Sequence, residues 1–217
     1  MMFFSEKPHK EQTKKEELAN TISHALGFVA AVIAAPFLIF YSANHGDAWA
    51  VIGTTVFIVS AMALYFSSSM YHGIREGIWK DRFQIIDHIA IFILIAGTYT
   101  PFTLGVLKGT FGWIMFGLIW LFAVAGIVLK VITGVKNIKI WVAYYLMMGW
   151  LIIIAAKPLL EAMHLFGLLW IAAGGAAYTL GVIFYIMPRR KYSHFVWHLF
   201  VLAGTAFHFV AVMFHSF

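Results

Sequence analysis

The chain has 217 residues, of which 62% are hydrophobic and only 11% are charged, so it is far more apolar than a soluble globular domain. It contains no cysteine, which excludes disulfides, thiolate metal ligands and cysteine nucleophiles. The formal net charge of +6 points to membrane topology and anionic lipid headgroups rather than nucleic acid, because no basic patch is interleaved with aromatic residues. We therefore expect a multi-pass membrane protein whose partners are membrane lipids, with no nucleic-acid partner.

Seven apolar segments, each long enough to cross a bilayer, follow a polar N-terminal arm at residues 1–17. The predicted spans are Ile22–Ser42, Trp49–Tyr71, Ile85–Leu107, Phe111–Ile132, Ile138–Ala156, Leu165–Met187 and His194–Phe214. Short connections separate them, among them residues 75–82 and 157–164. The sequence thus predicts an all-α membrane protein, a seven-transmembrane helix bundle that forms one domain over residues 18–217.

Basic residues are concentrated in the N-terminal arm and in every second connection after it. On the opposite side, the connections contain only two lysine or arginine residues, Lys108 and Lys157. Because lysine and arginine are enriched on the cytoplasmic side of membrane proteins, we predict that the N-terminus is cytoplasmic and the C-terminus is outside.

Polar residues cluster at the predicted cytoplasmic ends of four spans. His194 and His198 are four residues apart and therefore face the same direction on a helix, and Ser68 and His72 share this spacing. Asp87 lies at the start of the third span. The start of the first span contributes Glu17, Asn20 and His24.

These residue types are suited to zinc. A catalytic zinc ion uses three protein ligands and keeps a position for water, and His72, His194 and His198 can supply the three ligands. Asp87 is placed to orient that water or accept its proton. The residues that would hydrogen-bond to the ligands and the water are Ser68, Glu17, Asn20 and His24.

Simpler interpretations stay open at this point. Asp87 could be a first-turn acid favoured by the helix dipole, and Ser68 could serve close helix packing. His194 and His198 could pack without a metal. A further histidine, His208, lies mid-span and too deep for the same metal, so we assign it a hydrogen-bond or cavity role.

Five motifs carry a family resemblance: the segments Glu16–Gly27, Ser68–His72, Asp87-His88, Gly97–Pro101 and His194–His198. In order and spacing, these motifs resemble those of the bacterial hemolysin III family. That family belongs to the progestin and adipoQ receptor superfamily, which includes the adiponectin receptors and is distantly similar to the alkaline ceramidases.

The resemblance implies a bacterial cell-membrane protein with zinc near the cytoplasmic leaflet. It implies His72, His194 and His198 as zinc ligands, Asp87 at the zinc-bound water and Ser68 at the family serine. Tyr99, in the fourth motif, is assigned to an internal cavity together with His208.

Three functions compete. The first is a zinc-dependent, ceramidase-like hydrolase of a lipid amide or ester, with Asp87 as general base and Ser68 helping to stabilise the oxyanion. The alternative is a non-enzymatic lipid-sensing or membrane-homeostasis protein with structural zinc. A cytolysin has the least physical support, because the chain has the constitution of a resident multi-span protein. Iron or manganese could replace zinc in a histidine-rich site.

Overall fold

The computed structural model describes residues 12–135, 137–187 and 190–217, and these residues are almost entirely helical. Within this part of the chain, seven helical segments are long and apolar enough to cross a membrane. The α-helices are Lys14–His45 (α1), Ala48–Gly73 (α2), Ile78–Leu104 (α3), Thr110–Thr133 (α4), Ile138–Trp150 (α5), Ala156–Ala162 (α6), Leu165–Tyr185 (α7) and Ser193–His215 (α8). The predicted all-α, seven-helix membrane fold is confirmed, while the orientation of the termini stays a prediction.

Side-chain caps fix where the first two helices begin. The Thr13 hydroxyl accepts a hydrogen bond from the Glu16 amide at 3.3 Å, and the Glu16 carboxylate accepts one from the Thr13 amide at 2.9 Å, which completes a capping box. An Asp47 carboxylate oxygen accepts hydrogen bonds at 3.0 Å from the amides of Trp49 and Ala50. As a result, α1 begins inside the stretch that the sequence assigned to the arm.

Two connections are shorter than predicted. The third span starts at Ile78, so most of the expected connection 75–82 is helical. Most of the expected connection 157–164 is also helical, because α6 runs from Ala156 to Ala162. Charged residues marked these stretches as connections, yet lysine and glutamate are good helix formers, and Lys157 and Glu161 are spaced to face each other on a helix.

The outer surface of the bundle is apolar. On α1, Leu26, Phe37 and Phe40 are 65%, 64% and 72% exposed, the reverse of the pattern in a soluble protein. A continuous exposed apolar surface needs a cover, and in a bilayer the acyl chains provide it. Polar side chains, by contrast, are concentrated among the buried residues between the helices.

Glycines let helices cross closely. A methyl group at Gly53 of α2 would lie 2.6 Å from the Cα atom of Pro101 in α3. At Gly126 of α4 it would lie 2.4 Å from the ring of Phe92. Small residues at such crossings are a general feature of packed membrane helices.

The fifth span is not a continuous α-helix. Between α5 and α6, residues Leu151–Ala155 form a 3₁₀ turn, which changes the backbone hydrogen-bond pattern within the span. The Tyr99 hydroxyl of α3 lies at this break. It accepts a hydrogen bond from the Ile152 amide at 2.8 Å and lies 2.9 Å and 2.7 Å from the carbonyl oxygens of Met148 and Gly149. One phenol therefore satisfies backbone groups that the break exposes.

The order of packing determines which helix ends meet. α1 packs against α2 and α8, α2 against α3, α3 against α4, and α7 against α8. The first and last spans are therefore neighbours. Their N-terminal ends lie beside the C-terminal end of α2, and this is where the candidate site forms.

Candidate metal centre

Three buried or half-buried histidines meet at this end of the bundle. His72, His194 and His198 each offer a ring nitrogen, and the three nitrogens lie within 4.8 Å of one another. The ring centroids are 5.0 Å apart for His72 and His194, 5.1 Å for His72 and His198, and 4.7 Å for His194 and His198. The structure thus brings together the three residues that the sequence proposed as ligands.

Local sequence explains this convergence. His194 and His198 lie one turn apart in the first turns of α8, so that both rings project from the same side. His72 lies in the last turn of α2, next to the end of the helix at Gly73. A ring at the end of one helix therefore meets two rings at the start of another.

The hydrogen bond of His72 selects which of its nitrogens is available. Its Nδ1 lies 2.6 Å from a carboxylate oxygen of Glu17, so the Nδ1–H donates to that carboxylate. This leaves Nε2 without a proton, and Nε2 is buried and has no hydrogen-bond partner among the described residues. A carboxylate behind a histidine is the usual arrangement at protein metal sites, where it fixes the ring and raises its basicity.

Lys80 holds the same glutamate from the other side. Its Nζ lies 3.0 Å from the second Glu17 oxygen and donates to the backbone carbonyls of Tyr71 at 3.1 Å and Ile74 at 3.4 Å. Lys80 is only 8% exposed. Its position in the predicted connection 75–82 suggested a charge that only sets topology, whereas Lys80 lies in α3 and joins α1, α2 and α3.

His198 is fixed by α1. Its Nδ1 lies 3.0 Å from the Ser23 hydroxyl and 3.3 Å from the backbone carbonyl of Asn20, so the Nδ1–H has acceptors and Nε2 is left for a metal. The ring of His24 stacks on that of His198, with centroids 3.7 Å apart and planes 10° apart. Ser23 has a role here that the sequence analysis missed, although it lies between two residues that were singled out.

The three residues of α1 that were proposed to support the ligands, Glu17, Asn20 and His24, differ in how they do so. Glu17 and the backbone of Asn20 bind ligand histidines directly, while His24 supports one by stacking. The Asn20 side-chain amide donates to Gln12 at 2.5 Å and lies 3.5 Å from His72 Nδ1. Both nitrogens of His24 and the Asn20 Oδ1 are buried without hydrogen-bond partners in the described part of the chain.

Asp87 and Ser68 lie on neighbouring helices, α3 and α2. The half-buried Asp87 carboxylate interacts with the Ser68 hydroxyl and with the charge of Lys130 on α4. Ser68 is 1% exposed, and its Oγ makes no hydrogen bond of standard geometry within the described residues. Their assigned roles stay predictions.

His88 anchors two tyrosines beside Asp87. Its Nδ1 lies 2.6 Å from the Gln84 carbonyl and must donate, so Nε2 accepts from the Tyr185 hydroxyl at 3.2 Å. The Tyr145 hydroxyl donates to the His88 carbonyl at 3.1 Å. Both ring nitrogens of His88 are therefore engaged inside the bundle, and no sequence pattern indicated its tyrosine partners.

The two residues assigned to a cavity lie away from the cluster. His208 is 6% exposed, its Nε2 is 3.3 Å from the Ile171 carbonyl, and its ring packs where a side chain at Gly174 would be. Tyr99 uses its hydroxyl on the backbone of the fifth span. The structure gives hydrogen-bond roles to both, and their assignment to a cavity stays a prediction.

The donor set fits a zinc-type ion. All three candidate ligand atoms are imidazole nitrogens, and hydrogen bonds at the opposite nitrogen orient two of the rings. The buried, partnerless Nε2 of His72 is the atom that such an ion would satisfy. Nitrogen ligands suit zinc, copper, iron and nickel, so the geometry supports a metal site without selecting the metal.

Comparison with known proteins gives one consistent result. A family model described as "Haemolysin-III related" matches residues 12–209. The chain is 45% identical over 203 residues to the "Hemolysin-3 homolog" of Bacillus subtilis (strain 168), covering 94% of this chain and 95% of that protein. It is 42% identical over 204 residues to "Hemolysin-3" of Bacillus cereus, covering 94% and 93%. The human "Monocyte to macrophage differentiation factor" is 29% identical over 213 residues, covering 91% and 83%.

Proposed function

The chain belongs to the haemolysin-III-related family of multi-pass bacterial membrane proteins, and we propose that it is a zinc-dependent hydrolase of a lipid amide or ester bond. One observation carries the proposal: three imidazole nitrogens converge within 4.8 Å at one end of the bundle. The lipid-facing outer surface of the bundle supports a substrate drawn from the membrane.

His72, His194 and His198 would hold the ion. A zinc ion bound there supplies Lewis acidity, which polarises an acyl carbonyl and promotes deprotonation of water. Glu17 fixes the His72 ring with Nε2 directed away from the carboxylate, and the Asn20 carbonyl and Ser23 hydroxyl do the same for His198. These contacts set the ligand geometry before any substrate binds.

The protein groups beside the cluster fit the proton transfers of hydrolysis. Asp87 is the base that accepts a proton from the attacking water and returns it to the leaving amine or alcohol. The Ser68 hydroxyl, which has no standard hydrogen bond, donates to the oxygen that gains negative charge. Ser68 lies one helical turn before the ligand His72 on α2, and Asp87 lies on the neighbouring helix α3.

The second candidate is a lipid-sensing protein with structural zinc. A specific observation favours it: the cluster and its hydrogen bonds connect α1, α2, α3 and α8, so a metal there also joins helices. Under this alternative, removal of a ligand lowers thermal stability and no lipid product forms.

The test uses the purified full chain in lipid nanodiscs, loaded with zinc. Elemental mass spectrometry on wild type, His72→Ala/His198→Ala and the control His45→Ala/His164→Ala establishes metal content. We expect about one zinc per chain in wild type and in the control, and loss of the zinc in His72→Ala/His198→Ala. Release of free fatty acid from an N-acyl sphingoid base and from a glycerolipid ester is then followed by mass spectrometry.

We expect turnover in wild type and in Asp47→Asn, and a loss of roughly 100-fold or more in Asp87→Asn with zinc retained. Unchanged turnover in Asp87→Asn overturns the mechanism. If zinc-loaded wild type releases no fatty acid from either lipid class, the hydrolase proposal is overturned. In that case, a lower unfolding midpoint of His72→Ala/His198→Ala supports structural zinc.

A further inference from the structure

The helix that carries two of the three candidate ligands begins at a strained residue. Tyr192, which precedes α8, has φ 58° and ψ 11°, a left-handed conformation that residues other than glycine seldom adopt, and its side chain makes no capping hydrogen bond. Such a conformation persists only where neighbouring groups hold it. His194 is the second residue of the helix that follows. The position of its ring therefore depends on how this turn is held.

A carboxylate on α1 holds the turn. The backbone amide of Tyr192 donates a hydrogen bond at 2.9 Å to Oε1 of Glu16, a residue 176 positions away in the sequence. The Ser193 hydroxyl donates to the Met187 carbonyl, also at 2.9 Å, but that contact lies within the connection from α7 to α8. Of these two contacts, the one to Glu16 joins the start of α8 to another helix.

The two oxygens of Glu16 have different partners. Oε2 accepts hydrogen bonds from the amide and the hydroxyl of Thr13, at 2.9 Å and 2.7 Å, in the capping box that begins α1. The cap thereby orients the carboxylate, and Oε1 accepts from Tyr192. The next residue, Glu17, contacts His72 on α2. Two adjacent carboxylates of α1 thus contact the two parts of the chain that bring the candidate ligands together.

We propose that Glu16 is a positioning residue for the metal centre. By holding the start of α8 against α1, it sets where the rings of His194 and His198 meet that of His72. Helix ends fray, and His194 lies in the first turn, so a loosened start of α8 displaces this ring first. This role rests on the metal centre of the proposed function, and it does not depend on hydrolysis.

Zinc affinity of the purified full chain in nanodiscs, measured by competition with a zinc-chelating dye, tests this role. Glu16→Ala removes both the capping box and the contact with Tyr192. Thr13→Ala is the matched control, because it weakens the same cap and leaves the Glu16 carboxylate in place. We expect Glu16→Ala to bind zinc about 10-fold or more weakly and Thr13→Ala to bind as wild type does. Glu16→Gln keeps an oxygen that can accept from the Tyr192 amide, so it should recover most of the loss.

Equal zinc affinities of Glu16→Ala and Thr13→Ala overturn the proposal, because a residue that only capped α1 would act through that cap. A Glu16→Gln chain that binds zinc as weakly as Glu16→Ala also overturns it, since the amide oxygen would then be unable to replace the hydrogen-bond acceptor.

Hydrogen exchange at the Tyr192 amide of the metal-free chain, followed by mass spectrometry with residue-level fragmentation, is the second readout. A hydrogen-bonded amide exchanges slowly, so it should be protected in wild type and in Thr13→Ala and should exchange about 10-fold faster or more in Glu16→Ala. An unprotected Tyr192 amide in wild type overturns the proposal, and this outcome needs no variant to fold.

These readouts separate the positioning role from the hydrolase. If Glu16→Ala loses zinc affinity and wild type releases no fatty acid, the hydrolase fails and the role of Glu16 stands. If wild type hydrolyses lipid and Glu16→Ala binds zinc as Thr13→Ala does, the role of Glu16 fails and the hydrolase stands. A wild-type chain that binds no zinc overturns both.

Discussion

The Glu17 carboxylate lies 2.6 Å from Nδ1 of His72, although 55 residues separate the two in sequence. The contact orients the imidazole and joins α1 to the end of α2. Its most direct consequence concerns metal affinity.

Glu17→Gln should weaken metal binding by about 10- to 100-fold, because a neutral amide holds the His72 ring less firmly and makes it less basic. Competition of the purified variant with a zinc-chelating dye measures the change. Glu161→Gln, an exposed carboxylate in α6, is the control and should bind as wild type does. Equal affinity in all three proteins would show that Glu17 does not support a ligand.

Tyr99→Phe should destabilise the fold. The change removes the hydroxyl that bonds the Ile152 amide and neighbouring carbonyls, which leaves backbone groups unsatisfied within the membrane. We expect a loss of roughly 2 kcal/mol, or about 6 °C in the unfolding midpoint. Tyr41→Phe is the control, since its hydroxyl makes no hydrogen bond within the described residues. A midpoint of Tyr99→Phe equal to that of the control would contradict the role of the hydroxyl in bracing the fifth span.

Gly53→Ala should separate α2 from α3. The added methyl group meets the Pro101 backbone at 2.6 Å, which is too close for any rotation to relieve. We expect a destabilisation of about 1–3 kcal/mol in thermal or denaturant unfolding. Gly117→Ala in α4 meets nothing within 4 Å and should be neutral or slightly stabilising. The helix crossing is misassigned if the two variants behave alike.

Asp47 should make stability depend on pH at the opposite end of the bundle. The Lys108 ammonium, 2.9 Å away, and the amides of Ala50 and Trp49 hold the pKa of the Asp47 carboxyl below its ordinary value. A lowered folded-state pKa adds stability that is fully present above the unfolded value of about 3.9 and is lost as the pH falls through the folded value.

The midpoint difference between wild type and Asp47→Asn should therefore shrink as the pH is lowered from about 5 to about 2. Lys108→Gln, which removes the main partner, should shift the onset of this loss to higher pH. A difference that stays constant across the range would exclude titration of Asp47 as its source.

Hydropathy was enough to predict the seven spans, because twenty-residue apolar segments have few other stable folds. The four-residue spacing of His194 and His198 and their depth in the membrane were enough to place them with His72. The sequence did not indicate that Lys80 and Lys130 are buried. Lys80 was expected in a connection, and its burial is explained by Glu17 on another helix, while Lys130 lies against the ring of Trp141 on α5.

The break in the fifth span was also not predicted. The residues from Leu151 to Ala155 are ordinary apolar residues, but Pro158, four residues after Ile154, lacks the amide that would bond the Ile154 carbonyl in a continuous α-helix. The group that stabilises it, the Tyr99 hydroxyl, is 53 residues away from Ile152 in the sequence. Non-local contacts of this kind follow from the fold and cannot be read from a single segment.

The distribution of the cluster along the chain has a consequence for biogenesis. His72 is made early, whereas His194 and His198 belong to α8, the last of the described helices in chain order. Until α8 is inserted beside α1, the nitrogen of His72 has no other imidazole of the cluster next to it, so a nascent chain ending before Ser193 offers an ion one ligand instead of three. An ion held by all three histidines can therefore bind only after α8 is in place, so its binding would mark the point at which α8 has joined α1 and α2.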